Sequence, residues 1–570
     1  MTTQSTSRRA FLISSLAGAG PVALQPHVDA QQPPSPASRP NIVLILADDM
    51  GFSDLGCYGS EIHTPHLDRL AASGLRFSQF YSAARCCPSR AALITGLYPH
   101  QAGMGFMLGK ARPDLPPGYL GQLNNRFVTL PQVMRDAGYA TLMCGKWHLG
   151  EPGPIERGFD EFYGFLSGFE SFWDESRYTR LPEGRPRRSY GSKFYATDAL
   201  TDNALDFVAG ARREHKPYFL YLAYNAPHFP LHAPKKLIDK YVAVYEKGWD
   251  AIREARFARL KTLGLVKPEW QFTPRSTIPP NRVVTPETWE NKPNPAWDEV
   301  SPDRRADLVR RMATYAAMVE IMDRNIGRLV KDLRANGELD NTLILFLSDN
   351  GACAEWDPWG FDGSTGPDNI LHKGAQLKEM GQPRSFHSYG SGWANACNTP
   401  WRFYKHYGHE GGIASPCIAH WPAGFSREGA LEHQPAHLID LMPTFVELAG
   451  AKYPQRTRDS AVPAMEGESL TPAFHGKPMP ARSLCWEHEG NRAIREGKWK
   501  LVALGPSAAW ELYDMEADRT EMNNLAQAQP GRVHDMAGRW EAWAKRTNVL
   551  PWIWKPRYQP PPAPPVSSSL

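Results

Sequence analysis

Short, wholly apolar runs alternate along this chain with stretches of helical periodicity. Residues 41–46, Asn41-Ile-Val-Leu-Ile-Leu46, suit a buried parallel strand, and comparable runs occupy 218–224, 342–347 and 416–421. A strand buried on both faces shows a continuous apolar run, whereas a half-exposed one alternates. Across 302–336, Leu308, Met312, Tyr315, Val319, Met322, Ile326, Leu329 and Leu333 recur in alternating steps of four and three. That spacing predicts one long helix with a core-facing stripe, Ser301 at its N-cap and Gly337 just past its end. Strands alternating with helices predict an α/β fold, a mostly parallel central sheet flanked by helices, with the functional site at the carboxyl ends of the strands.

The pattern changes at both ends. Ser7-Arg8-Arg9-Ala10-Phe11-Leu12 places an arginine pair before the apolar stretch 10–24, and Val28-Asp29-Ala30 ends in a small residue. Residues 1–30 resemble a twin-arginine secretion signal, which implies the twin-arginine export machinery as a partner and a periplasmic or secreted protein. The stretch is too short to span a bilayer, and no later run reaches about twenty apolar residues, so no membrane span is expected. A Pro-rich linker, 31–40, precedes a large α/β domain, 41–477, expected to carry the functional site. Within it, the polar segment 235–297 reads as an insertion shaping the rim of the site. Short strand-like pieces at 492–503 and 510–514 predict a smaller C-terminal α+β domain, 478–558, with an antiparallel sheet. The Pro- and Ser-rich tail, 559–570, is expected to be disordered.

Composition narrows the class. Of 570 residues, 42% are hydrophobic and 22% charged, which fits a globular enzyme, and a net charge of +4 with interspersed signs gives no basic face for nucleic acid. Eight cysteines are too few for a disulfide scaffold, although export would allow one or two bridges. Neighbours Cys86 and Cys87 make better sense as a chemical site than as a strained bridge.

The most specific stretch is Arg85-Cys86-Cys87-Pro88-Ser89-Arg90-Ala91-Ala92-Leu93-Ile94-Thr95-Gly96. Pro88 suits a first helical turn, which would set Cys86 at a helix N-terminus where free N–H groups and the dipole favour an anion. Arg90 can then reach anionic oxygens. Asp48-Asp49 ends one predicted strand and Asp349-Asn350 another; four oxygen-donor side chains suit a hard divalent cation, calcium rather than zinc. This Cys-x-Pro-Ser-Arg core, with its Leu-x-Thr-Gly ending, resembles the signature of the sulfatase family within the alkaline phosphatase superfamily. The resemblance runs through Gly145-Lys146-Trp147-His148, Ala226-Pro227-His228 and Lys405 ahead of Glu410-Gly411-Gly412, and covers roughly residues 40–514.

The resemblance implies that a formylglycine-generating enzyme oxidises Cys86, two places before Pro88, to formylglycine. It implies one Ca2+ held by Asp48, Asp49, the modified Cys86, Asp349 and Asn350. Arg90, Lys146, His148, His228 and Lys405 would be the catalytic side chains, and sulfate-ester hydrolysis would pass through a covalent formylglycine sulfate. Lys146 would hold the sulfate and His148 would act on the aldehyde hydrate. The run 388–400 resembles bacterial arylsulfatases, which makes a small-molecule aryl sulfate the expected substrate. A phosphonate or phosphate ester hydrolase of the same superfamily, and a sulfated-ligand binding protein without turnover, are the alternatives. His232 and His409 lie near these motifs, where they could line the pocket, and Ser167 stands about where some relatives contribute a serine, but the residues around it match poorly and it reads as a turn residue.

Overall fold

A parallel trio of apolar strands forms the middle of the fold, as the continuous runs require. The computed structural model describes residues 39–553 apart from 111–113, 279–288, 290, 356, 366–367, 426 and 458–459. The expected secretion signal, all but the last two residues of the linker, and the tail lie outside the described residues. Ten strands make one sheet: β1 (Asn41–Ala47), β2 (Leu75–Tyr81), β3 (Ala140–Lys146), β4 (Glu161–Phe165), β5 (Thr179–Leu181), β6 (Tyr218–Ala223), β7 (Thr342–Ser348), β8 (Ala414–His420), β9 (Ala430–Glu432) and β10 (Ala436–His437). Their order is β10-β2-β8-β7-β1-β6-β3-β4-β5, with β9 also paired to β2.

The stretch β7-β1-β6-β3-β4 is parallel throughout, with Ile42 opposite both Phe219 of β6 and Leu343 of β7. All seven residues of β3 and of β7 are buried, because helices cover both faces. One direction differs from expectation. The run at 416–421 belongs to β8, which starts at Ala414 and lies antiparallel to β7 and β2. An apolar run reports burial on two faces and carries no information about chain direction.

The long helix spans Pro302–Ala335, with Ser301 extended at the N-cap and Asn336 closing it, one residue short of the predicted end. All eight stripe residues are buried. The segment 235–297, expected to shape the rim of the site, is described except for 279–288 and 290. It carries two helices, Lys235–Tyr245 and Gly248–Thr262, and packs inward. Its Arg256 is fully buried, pairing with Asp54 at 2.6 Å and Glu61 at 2.7 Å. Polar composition concealed this inward packing because the charge of Arg256 is paired inside the protein.

The C-terminal sheet is an antiparallel meander of β11 (Ser483–His488), β12 (Asn491–Glu496), β13 (Trp499–Ala503) and β14 (Glu511–Asp514). It is tied to the large sheet's domain by buried charge. Lys500 Nζ donates to Glu410 at 2.8 Å and Glu521 at 2.7 Å, and Arg519 Nε donates to Glu410 at 2.7 Å. All eight cysteines are free. Among the described residues no helix is long and apolar enough to cross a membrane.

Candidate active site

Parallel strands deliver their carboxyl ends to one edge of the sheet, and four of them end in the residues singled out above. Asp48 and Asp49 follow β1, Asp349 and Asn350 follow β7, Lys146 is the last residue of β3, and His228 lies in the loop after β6. Because β8 runs the other way, its start reaches the same edge and brings Lys405 with it. The helix Cys86–Thr95 points its first turn into this group, with Cys86 as its first residue. All ten residues, Asp48, Asp49, Cys86, Arg90, Lys146, His148, His228, Asp349, Asn350 and Lys405, are 5% exposed or less. Charges so enclosed act through a low dielectric and are poorly screened.

The signature's local chemistry explains its helix. Ser89 Oγ accepts from Ala83 N at 2.9 Å, pinning the incoming chain over the first turn. Gly96 closes the helix in a left-handed conformation, its N–H donating to Ala92 O at 2.9 Å. Gly145, at φ 119°, must be glycine: a Cβ there would lie 1.8 Å from Ala223 O of β6. The close approach sets where Lys146 leaves the sheet.

Three carboxylates and three cations interlock. Lys146 Nζ donates to Asp48 Oδ2 at 2.7 Å and Lys405 Nζ to Asp49 Oδ2 at 2.8 Å. Arg90 Nε and Nη2 donate to Asp349 Oδ2 at 3.2 and 2.9 Å, Nη1 donates to Lys146 O at 3.0 Å, and Nη2 lies 3.5 Å from Asp48 Oδ1. It therefore joins the β7 end to the β3 end. His228 Nε2 stands 3.3 Å from Asp49 Oδ2. Asn350 Nδ2 donates to Asp49 Oδ1 at 2.7 Å, and Asp49 N to Asp349 Oδ1 at 3.2 Å.

Two buried oxygens, Asp48 Oδ1 and Asn350 Oδ1, have no hydrogen-bond partner. Orphaned buried acceptors are costly, and a hard cation among them would satisfy both, so this oxygen-only donor set fits calcium. Burial also raises the pKa of Asp48 and lifts that of Asp349 to about 8, Asp48's own charge adding to the second shift against the pull of Arg90. For Asp49 burial is outweighed by Lys405 and His228, which hold it below the usual carboxylate range.

The two thiols differ. A hydrogen bond from Cys87, with the charges of Lys146 and Lys405 behind it, pushes the Cys86 thiol down against burial, whereas burial pushes Cys87 up. Cys87 Sγ accepts from Leu108 N at 3.3 Å and lies 3.6 Å from His148 Nε2. His148, with φ 53°, is neutral at ordinary pH, burial pushing it down to about 4.

Two participants escaped the sequence. Glu355, 4% exposed, lies 3.8 Å from Lys405, 3.6 Å from Arg85 and 3.6 Å from His406 Nε2. It sits in an irregular loop with no periodicity or motif to flag it. Phe169, whose ring faces His228, is the other. Ser167 is an exposed loop residue bonded to Glu170 at 2.8 Å, His232 accepts from Phe172 N at Nδ1 and donates from Nε2 to Ser385 O, and His409 lies 3.4 Å from Glu511.

Fold and site together define a member of the alkaline phosphatase superfamily. Within it, the chain belongs to the sulfatase family: the Sulfatase profile matches residues 40–451, and the profile for the C-terminal region of N-sulphoglucosamine sulphohydrolase matches 400–536. The chain is 35% identical over 547 residues to an uncharacterized sulfatase of Schizosaccharomyces pombe, spanning 90% of this chain and 95% of that protein. It is 34% identical over 445 residues to an arylsulfatase of Klebsiella aerogenes, spanning 76% and 91%. The solved structure of Ps i-CgsB in complex with k-i-k-neocarrahexaose is similar at a TM-score of 0.61 and 28% identity, covering 90% of this chain and 94% of that one.

Proposed function

We propose that this sulfatase-family hydrolase cleaves aryl sulfates to a phenol and sulfate, using formylglycine made from Cys86. The observation that carries the proposal is the convergence of Lys146 and Lys405 on Asp48 and Asp49 beside a helix N-terminus whose first residue is Cys86. Asp48, Asp49, Asp349 and Asn350, with residue 86, would hold Ca2+. When bound, calcium supplies Lewis acidity, and formylglycine supplies a hydroxyl nucleophile with a second hydroxyl for regeneration.

The chain's own groups divide the remaining work. Lys146 and Lys405 present positive charge where sulfuryl oxygens gather, and helix N–H groups add to it. Lys405 stays protonated, since Asp49 foremost outweighs the effect of burial. It serves the leaving oxygen together with His228. His148, neutral and next to residue 86, would accept a proton at its ring nitrogen beside that residue. Arg90 holds the strand ends in register. Similarity to the Klebsiella arylsulfatase supports the aryl assignment.

Two measurements test this. Mass spectrometry of the peptide containing Cys86 and Cys87, after expression with a formylglycine-generating enzyme, should place the aldehyde at 86. Turnover of 4-nitrophenyl sulfate should exceed that of 4-nitrophenyl phosphate; the reverse order would make the protein a phosphate ester hydrolase. Sulfate-ester binding with neither aldehyde nor turnover would make it a binding protein.

A further inference from the structure

The loop after β4 sends two consecutive residues against two histidines of the site. A Cβ on Gly168 would lie 2.8 Å from His148 Nε2, so this backbone rests directly on that ring and a side chain here would have to displace it. The next ring, Phe169, lies parallel to His228, with centroids 6.1 Å apart and planes 15° apart. Phe169 also packs on Phe229 at 5.4 Å and edge-on to Phe386 at 5.9 Å. Phe229 in turn meets Phe361 edge-on at 4.8 Å.

These rings are not equivalent. Phe229 and Phe361 are 7% and 1% exposed, spent on packing, while Phe169 is 37% exposed. Apolar surface kept in water forgoes the stabilisation of burial, so the fold gives up part of it by leaving this ring open. It is left open next to His228, whose ring reaches Asp49 at 3.3 Å. A flat aromatic group entering on this side meets an aromatic wall and stacks offset, as ring pairs prefer at centroid separations of about 4.5–7 Å.

We infer that Phe169 is the platform on which the aromatic leaving group stacks, and so a specificity-determining residue; this rests on the sulfate-ester assignment above. Phe229 and Phe386 position it, and Gly168 fixes the loop against His148. The fold thereby selects the organic half of the ester by stacking, while the charged cluster selects the sulfate.

The test compares the modified enzyme with its Phe169→Ala and Phe169→Trp variants on 2-naphthyl sulfate and glucose 6-sulfate. In Phe169→Ala the ratio of kcat/KM for the naphthyl ester to that for the sugar ester should fall about tenfold, mostly through KM. Phe169→Trp should restore it. Equal losses on both esters, or an unchanged ratio, would overturn the inference. Fluorescence titration with 2-naphthol, the product, separates the two proposals. Absence of turnover in the parent enzyme defeats the sulfate-ester assignment, whereas naphthol affinity equal in parent and Phe169→Ala defeats the platform.

Discussion

Arg90 grips Asp349 with two nitrogens on a single oxygen, Nε at 3.2 Å and Nη2 at 2.9 Å from Oδ2, both side chains being buried. A residue of the signature helix thus fixes the end of β7, 259 positions further along the chain. Removing the guanidinium leaves a buried carboxylate unpaired. Arg90→Ala should lower stability by about 3–5 kcal/mol in urea titrations and turnover by at least about 100-fold. Arg90→Lys, keeping charge without the two-point contact, should fall between. Parent-like urea midpoints in Arg90→Ala would show that the pair does not hold the strand end.

The neighbouring cysteines should separate cleanly. Cys86→Ala is expected to abolish turnover. Cys87→Ser is nearly isosteric at this buried position, keeps an acceptor for Leu108 N and should retain activity within about a few-fold. Initial rates on 4-nitrophenyl sulfate decide this, and equal loss in both variants would move the chemistry away from residue 86 alone.

Divalent-ion removal should be visible in stability as well as rate. With Asp48, Asp49 and Asp349 buried together, chelation should lower Tm and activity in parallel, and Ca2+ should restore both. At a free concentration of about 100 times Kd, the ion adds about 2.7 kcal/mol to the folded state. Calorimetry with and without EDTA reads this, and an unchanged Tm would contradict the oxygen-donor site.

Acid should destabilise the fold through histidines remote from these carboxylates. Burial pushes His232 down to about 4 and His437 and His488 to about 3. In the unfolded chain each titrates near ~6.5, so the unfolded state takes up protons first as pH falls. Stability is complete above about pH 6.5 and is lost toward pH 4, with a slope of up to ~1.4 kcal/mol per pH unit for each group. Thermal midpoints at saturating Ca2+ should therefore fall between pH 7 and 5. His437→Asn keeps an acceptor for Ile439 N, now 3.2 Å from Nδ1, and should flatten the slope. A midpoint independent of pH across this window would show that these rings do not titrate on unfolding.

The strands at β1, β6 and β7 and the long helix were legible because burial and helical period repeat within one short segment. The signature was legible for the same reason: Pro88, Ser89 and Gly96 act on a helix they themselves belong to. The direction of β8, the helices within 235–297 and the loop residue Glu355 were not legible. Arg256 looks like surface polarity until Asp54 and Glu61 close on it, and Glu355 has a role only beside Arg85, Lys405 and His406.

By itself, then, the sequence determined the α/β class, the helix that starts at Cys86 and the family to which the motifs belong, since each depends on neighbours within a few turns or strand lengths. Tertiary structure alone decided which oxygens lack partners, that Arg90 serves Asp349, and that Phe169 faces His228. Lys405 meets Asp49 across 356 positions of chain, and only the strand order β8-β7-β1-β6-β3 brings such residues to one edge, where short-range Coulomb and packing forces act.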